Sequence, residues 1–263
     1  MKEKISVAID RALLKEIDML VDGLKIRNRS QAIEFLIRKA LSERKIAVIL
    51  AGGEEKKLMV NNTFKPLLEY KGKTAIEHIV QGLRKHGFTK IFIIGRKRVL
   101  SAIFSVIGDG SEHGVELCYV EERAQTSLTK QDTARTLKLL KGKVKKPFLC
   151  LYCDVLFDIN LEEIWKYHVR SSALATLVVK TSPRPKEWGN VVVEGDRVIE
   201  FVEKPKISKT YLVYTGMFIG EPEIFEQQGS SLEYQIFPAL AKKGLLGAYI
   251  ISGFCEHVDR VIS

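Results

Sequence analysis

The sequence predicts an α/β protein in two parts. From Lys45 onward, apolar runs of strand length alternate with amphipathic runs of helix length, the pattern of a mostly parallel sheet with helices on both faces. The first of these strands, Lys45-Ile-Ala-Val-Ile-Leu-Ala51, runs straight into Gly52-Gly53. Before it lies a separate short pattern: one alternating strand and two amphipathic helices. The predicted domains are therefore residues 1–44 and 45–263.

In the first domain, Ile5, Val7 and Ile9 alternate with Lys4, Ser6 and Ala8, as a half-buried strand requires. Asp10 is placed to cap a helix carrying Leu13, Leu14, Ile17, Leu20, Val21 and Leu24 on one stripe. Gly23 suits a left-handed cap at its end. Asn28-Arg-Ser-Gln31 has the spacing of a capping box for a second helix with Ile33, Leu36, Ile37, Ala40 and Leu41 inward.

One strand and two helices cannot bury a self-sufficient core, and a lone strand leaves its backbone groups unpaired. Pairing two copies solves both problems, so a homodimer or tetramer through the N-terminal ribbon is expected. A two-stranded ribbon fits the DNA major groove. Lys4, Ser6 and Ala8 would face the bases, and the backbone amides at Arg29 and Ser30 would hold a phosphate. Residues 3–43 resemble the ribbon-helix-helix DNA-binding family. The resemblance implies double-stranded DNA as a partner.

In the second domain, strands are predicted at Ile46–Leu50, Ile91–Ile94, Val115–Val120 and Phe148–Cys153. Helices are predicted at Ala75–Lys85, Arg98–Ile107 and Thr133–Leu140. Leu174–Lys180, Asn190–Val193 and Val198–Phe201 read as antiparallel strands of a smaller β-rich portion. Ligands of such sheets bind beyond the carboxyl ends of the strands. Glycines at a strand's end let backbone amides approach phosphates, and Lys65 adds a point charge.

Several motifs follow in order: Gly52-Gly53, Lys65-Pro-Leu-Leu68, Gly72-Lys73, Ile91-Phe-Ile-Ile-Gly95, Asp154 with Asp158, Trp188-Gly189, Glu203-Lys204-Pro205 and Thr215-Gly216. From residue 45 to about 259 the chain resembles the sugar-1-phosphate nucleotidyltransferases. The resemblance implies a Rossmann-like sheet of nucleotidyltransferase type. It also implies that a sugar 1-phosphate attacks the α-phosphate of a nucleoside triphosphate and pyrophosphate leaves. Catalysis would then be positioning plus charge neutralisation. It assigns catalytic roles to Lys57, Lys65 and Asp154, with Asp154 holding Mg²⁺. Leu50, Ala51, Gly52, Gly53, Lys65 and Thr133 would bind the nucleotide. Gly189, Glu203, Lys204 and Thr215 would bind the sugar phosphate.

Three stretches depart from that family's pattern. The first loop, Gly52-Gly53-Glu54-Glu55-Lys56-Lys57-Leu58, has Glu55 for a glycine and Lys57 for an arginine. The family's Gly-Thr-Ala-Gly aligns with Asp132-Thr133-Ala134-Arg135, after a longer base-reading segment at 124–131. In Cys255-Glu256-His257-Val258-Asp259, His257 replaces a metal-binding aspartate, for which Glu256 or Asp259 could substitute. Neutral imidazole is a poor Mg²⁺ ligand. These departures, with the N-terminal resemblance, predict a DNA-binding transcriptional regulator. In that reading the second domain senses a nucleotide or sugar nucleotide with weakened or lost catalysis. The alternative is an active Mg²⁺-dependent sugar-1-phosphate nucleotidyltransferase carrying a DNA-binding module.

Composition is compatible with both. The 263 residues carry a net charge of +10, and residues 1–45 hold 11 Lys/Arg against 7 Asp/Glu, a balance that favours polyanions. No apolar run is long enough to span a bilayer, so no membrane partner is expected. The charged start has no signal-peptide pattern, and the cytoplasm is the expected location. Cys150 and Cys153 fall an odd number of residues apart on one strand, which points them to opposite faces and argues against a shared zinc or redox site.

Overall fold

The structure is a computed structural model that describes residues 6–42, 44–122 and 132–262. The chain divides into two compact units, Met1–Arg44 and Lys45–Ser263.

The first unit contains helices α1 (Arg11–Asp18) and α2 (Arg29–Ser42). Asp10 caps α1, accepting from the N–H groups of Ala12 and Leu13 at 2.7 and 3.4 Å. The helix ends at Asp18, short of Leu20, Val21 and Leu24. The cause is Asp22, whose carboxylate accepts from the amides of Leu24, Lys25 and Ile26 at 2.8, 2.8 and 2.9 Å. Those bonds stabilise a turn in competition with helix, and Gly23 lies in that turn at φ 72°. At the start of α2, Asn28 accepts the Gln31 N–H at 3.0 Å and Gln31 accepts the Arg27 N–H at 2.7 Å.

The predicted ribbon is not found. Lys4 lies outside the described residues, and residues 6–10 form no strand. A strand needs a ladder partner, and a single copy supplies none here. Ser6, Ala8 and Ser30 are exposed. Arg29 is engaged within the unit, donating through Nε and Nη2 to Asp18 at 2.5 and 2.6 Å. N-terminal helices are present, but a ribbon-helix-helix domain is not shown among the described residues, and neither DNA nor a second copy gains support there.

The second unit is an α/β sandwich. Its strands are β1 (Lys45–Ala51), β2 (Phe88–Gly95), β3 (Glu116–Glu121), β4 (Phe148–Tyr152), β5 (Val155–Asp158), β6 (Ala175–Thr181), β7 (Gly189–Glu194), β8 (Arg197–Glu203), β9 (Leu212–Gly220), β10 (Leu246–Ile250) and β11 (Phe254–His257). Nine of them form one sheet in the order β6-β10-β8-β7-β9-β4-β1-β2-β3. The sheet is mixed, not mostly parallel. β4, β1, β2 and β3 run parallel, whereas β9 lies antiparallel to β4 and β8 antiparallel to β7. The strands expected to form a separate portion instead extend this sheet.

β1 shows why the sheet is covered twice. Ala47, Ile49 and Ala51 belong to one buried cluster with α3 (Ala75–Lys85), α4 (Lys97–Ile107) and α6 (Leu161–Arg170). Val48 and Leu50 belong to a second cluster, with α5 (Thr133–Leu137) and α7 (Phe237–Lys242). Alternation along one strand thus feeds two cores. Cys150 and Cys153 fall in opposite clusters, as the alternation requires. α3 starts with a complete capping box between Thr74 and Glu77. Among the described residues, no helix is long and apolar enough to cross a membrane.

Candidate active site

β1 delivers Gly52 and Gly53 to the carboxyl edge of the parallel strands. Both glycines are needed there. A Cβ on Gly52 would lie 2.6 Å from Glu122 Oε2, and Gly53 has φ 94°. The Gly53 N–H donates to Glu122 Oε2 at 3.0 Å, and the Thr136 hydroxyl donates to the other oxygen of the same carboxylate. Glu122 thus fixes the glycine loop from below. The two carboxylates of this loop are paired: Glu55 with Arg98 at 3.0 Å and Glu54 with Lys57 at 3.2 Å.

Two cavities of about 360 Å³ each open along this edge, within the range of small-molecule sites. One is lined by Leu50, Gly52, Gly53, Lys57 and Thr133. The other is lined by Gly189, Glu203, Lys204, Tyr214 and Gly216. Lys65, Thr133, Tyr152, Asp154, Lys204 and His257 line both. The cavities therefore meet at Lys65 and Asp154.

The fold assembles that junction from distant segments. Asp154 follows β4, and β5 pairs antiparallel with β11 so that Val155 faces His257. The Val258 N–H donates to the Asp154 carbonyl at 2.8 Å, which seats helix α8 (Val258–Val261) and its Asp259 beside Asp154. Lys65 Nζ lies 3.1 Å from Asp154 Oδ2 and 2.8 Å from Asp259 Oδ2. His257 Nδ1 lies 3.1 Å from Asp154 Oδ2.

Electrostatics follow from these distances. Burial opposes ionisation of Asp154, but His257 and Lys65 outweigh it and hold the carboxyl well below the usual carboxylate range. Burial pulls the Lys65 ammonium down, but Asp154 and Asp259 prevail and raise it. In the second cavity, burial pushes the Glu203 carboxyl up, against a smaller opposing effect of Lys204.

Not every expected residue faces a cavity. Ala51 is fully buried beneath the loop. Thr215 is also buried, and its hydroxyl donates to the Val178 carbonyl at 2.9 Å. Its neighbours Tyr214 and Gly216 line the cavity instead. The sheet alternation forces this, because adjacent strand residues point to opposite faces. Gly189 permits close approach of its strand: a Cβ there would meet Phe201 Cζ at 2.6 Å. Lys204 adopts a left-handed backbone, φ 45°, which is uncommon for lysine and frequent at sites. Segment 124–131 lies outside the described residues.

Sequence reasoning missed Glu122, Tyr152 and Glu233. The Tyr152 hydroxyl donates to Glu233, and the Thr133 hydroxyl donates to the same carboxylate at 2.7 Å. Glu233 sits 100 residues from Thr133, so no local spacing could reveal it. Asp259 stood only as a possible substitute; in the structure it completes a carboxylate pair around Lys65. Asp154, His257 and Asp259 place one ligand atom each within 4.8 Å of one another, a group that could hold a metal ion.

The profile of the family described as Nucleotidyl transferase matches residues 46–244. The mannose-1-phosphate guanylyltransferase catalytic subunit beta of Danio rerio is 28% identical over 221 residues, covering 81% of this chain and 61% of the relative. The UTP–glucose-1-phosphate uridylyltransferase of Synechocystis is 29% identical over 234 residues, covering 81% of this chain and 59% of the relative. The chain thus spans about three fifths of the length of these curated relatives. A crystal structure from Bacillus anthracis, assigned as a glucose-1-phosphate thymidylyltransferase and solved with sucrose, shares the fold. Its TM-score is 0.70 at 21% identity, covering 81% of this chain and 89% of that one. These findings overturn the expectation of a DNA-binding regulator that has lost catalysis. The matching proteins are named for nucleotidyl transfer, and the alternative reading fits them better. Motif order, fold and family profile converge on one statement: the chain belongs to the nucleotidyl transferase family.

Proposed function

We propose that the second unit is an active sugar-1-phosphate nucleotidyltransferase, joining a nucleoside triphosphate to a sugar 1-phosphate with release of pyrophosphate. The observation that carries this reading is the meeting of two cavities at Lys65 and Asp154. One cavity has the close-approaching glycine loop and Lys57 for a triphosphate. The other has Glu203 to accept from sugar hydroxyls and Lys204 for a phosphate. The reacting oxygen and phosphorus would meet where the cavities join.

In this reading Leu50, Gly52, Gly53 and Thr133 shape the nucleotide cavity, with Ala51 acting only as packing beneath it. Gly189, Glu203 and Lys204 shape the sugar-phosphate cavity, with Thr215 tying its strand to the Val178 carbonyl. Lys65 neutralises charge on the triphosphate. Asp154, with Asp259, would hold a divalent cation such as Mg²⁺, which when bound supplies charge neutralisation at the phosphates. The donor set fits a cation: two carboxylates already enclose the Lys65 ammonium, and Asp259 Oδ1 is buried without a hydrogen-bond partner.

Pyrophosphate release tests the reading. The full chain is given a panel of nucleoside triphosphates and hexose 1-phosphates with Mg²⁺ or Mn²⁺. Turnover that depends on both substrates and falls at least ~100-fold in Asp154→Ala is the expected outcome. Absence of turnover across the panel, with either cation, refutes it.

A further inference from the structure

We infer that His257 makes this a mixed nitrogen and oxygen cation site, one that selects Mn²⁺ over Mg²⁺. The inference rests on reading the Asp154 cluster as the cation site of the proposed transferase.

Three observations carry it. First, the three ligand atoms of Asp154, His257 and Asp259 lie within 4.8 Å of one another, close enough to converge on one ion. Second, a cation already sits among the carboxylates. The Lys65 ammonium bonds Asp154 at 3.1 Å and Asp259 at 2.8 Å, and a divalent ion that displaced it would meet both carboxylates. Third, His257 Nδ1, not a carbon edge, faces Asp154 Oδ2 at 3.1 Å, a hydrogen bond whose proton must leave before that nitrogen binds a metal. Its ring is braced against Trp188, with centroids 5.2 Å apart, and that indole is covered by Arg260 at 4.4 Å. The bracing limits how far the imidazole can swing away.

Ligand chemistry then sets the preference. Mg²⁺ is a hard ion that favours oxygen donors in near-ideal octahedral geometry. Replacing one carboxylate with imidazole removes a charge and substitutes a softer nitrogen. First-row transition ions accept that donor, whereas Mg²⁺ gains little from it. Asp259 keeps two carboxylates in the set, so the site remains anionic enough for a hard-to-borderline ion such as Mn²⁺. The same argument gives His257→Asp a definite direction, because it restores an all-oxygen set.

The test uses the full chain and metal alone. Mn²⁺ binding is followed by electron paramagnetic resonance, and Mg²⁺ affinity by competition. Co²⁺ absorption reports nitrogen ligation independently of affinity. The wild type should prefer Mn²⁺ over Mg²⁺ by about tenfold or more beyond the preference of His257→Asp. The nitrogen-ligand signature of Co²⁺ should disappear in both His257→Asp and His257→Gln. Circular dichroism of each variant establishes that it is folded. An unchanged Mn²⁺/Mg²⁺ ratio in folded His257→Asp overturns the inference, as does an unchanged Co²⁺ spectrum. Failure to bind any of the three ions also overturns it. Pyrophosphate release is read separately, so turnover with equal cation preference rejects only the role of His257. Selective Mn²⁺ binding without turnover rejects only the transferase reading.

Discussion

The Lys65 ammonium lies 2.8 Å from the Asp259 carboxylate and is shared with Asp154 at 3.1 Å. One lysine, at the start of the 3-10 turn Lys65–Leu67, therefore ties together the carboxylates that precede β5 and follow β11. Both partners are substantially buried, with side-chain exposures of 18% for Lys65 and 9% for Asp154. Removing the cation leaves two close carboxylates with only His257, beside Asp154, to offset them. Lys65→Met should destabilise the second unit by about 3 kcal/mol in denaturant titrations and reduce kcat/KM for pyrophosphate release ~100-fold or more. Asp259→Asn, which leaves the Lys65–Asp154 pair, should cost much less stability.

Gly52 lines the cavity proposed for the nucleotide and not the other. A methyl group there would press on Glu122 Oε2 at 2.6 Å and Thr136 Cγ2 at 2.9 Å. Gly52→Ala should raise KM for the triphosphate about tenfold and leave KM for the sugar phosphate unchanged. Steady-state kinetics varying each substrate in turn would check this. Equal effects on both constants would place Gly52 outside the nucleotide cavity.

Lys204 should show the opposite pattern. Lys204→Ala should raise KM for the sugar phosphate by about 1–2 kcal/mol of lost binding, roughly five- to thirtyfold, with a smaller change for the triphosphate, whose cavity it also lines. Lys204→Gly would relieve the φ 45° backbone while removing the charge. It should therefore be at least as stable as the alanine variant, which thermal unfolding can measure.

His168 supplies a pH dependence remote from the site. Its side chain is buried, with Nδ1 2.8 Å from Thr176 Oγ1, and burial lowers its pKa to about 4. The folded state therefore resists protonation that the unfolded chain accepts near pH 6.5. Between about pH 6.5 and 4 the unfolded state binds more protons, so stability falls as pH falls. The stability is fully present above the unfolded value. Denaturant unfolding at pH 5 should show a loss of about 2 kcal/mol relative to pH 7 from this group. His168→Gln should flatten that part of the profile.

The cysteines should be nearly inert in the native protein. Burial pushes the Cys150 and Cys153 thiols well above their ordinary value and Cys255 up to about 11. Cys118 alone is partly exposed, and burial still raises it. A thiol reagent at neutral pH should label one cysteine slowly without denaturant and four after unfolding. Rapid labelling of two or more in the native state would contradict the buried positions.

How far the sequence could be read varied with the range of the interaction. β1, α3 and α4 were legible because their apolar periods and caps are local, as Thr74 and Glu77 show at α3. The family order of Gly52-Gly53, Lys65, Asp154 and Glu203-Lys204 was legible because motifs survive as strings. The mixed sheet was not legible, since nothing in Leu212–Gly220 states that it pairs antiparallel with β4. The pairing of Glu55 with Arg98 was also hidden, since the two residues lie in separate elements. His257 stands in the sequence where the family resemblance expects an aspartate, but Asp259 could be placed beside Asp154 only through the β5–β11 pairing. At the N-terminus, helix periods were readable but the ends were not, because Asp22 captures three amides to make a turn.

The β5–β11 pairing has a kinetic consequence. Asp154 lies 89 residues from Lys65, and Thr133 lies 100 from Glu233. None of these contacts can form until distant stretches of chain have been brought together, and closing such long loops slows folding. Secondary structure in α3 or α4 can appear early from local signals alone. The ion cluster must wait for the last strand to dock. Regain of activity after dilution from denaturant should therefore lag behind the recovery of helical signal, with the unfinished state already carrying most of its backbone order but no chemistry.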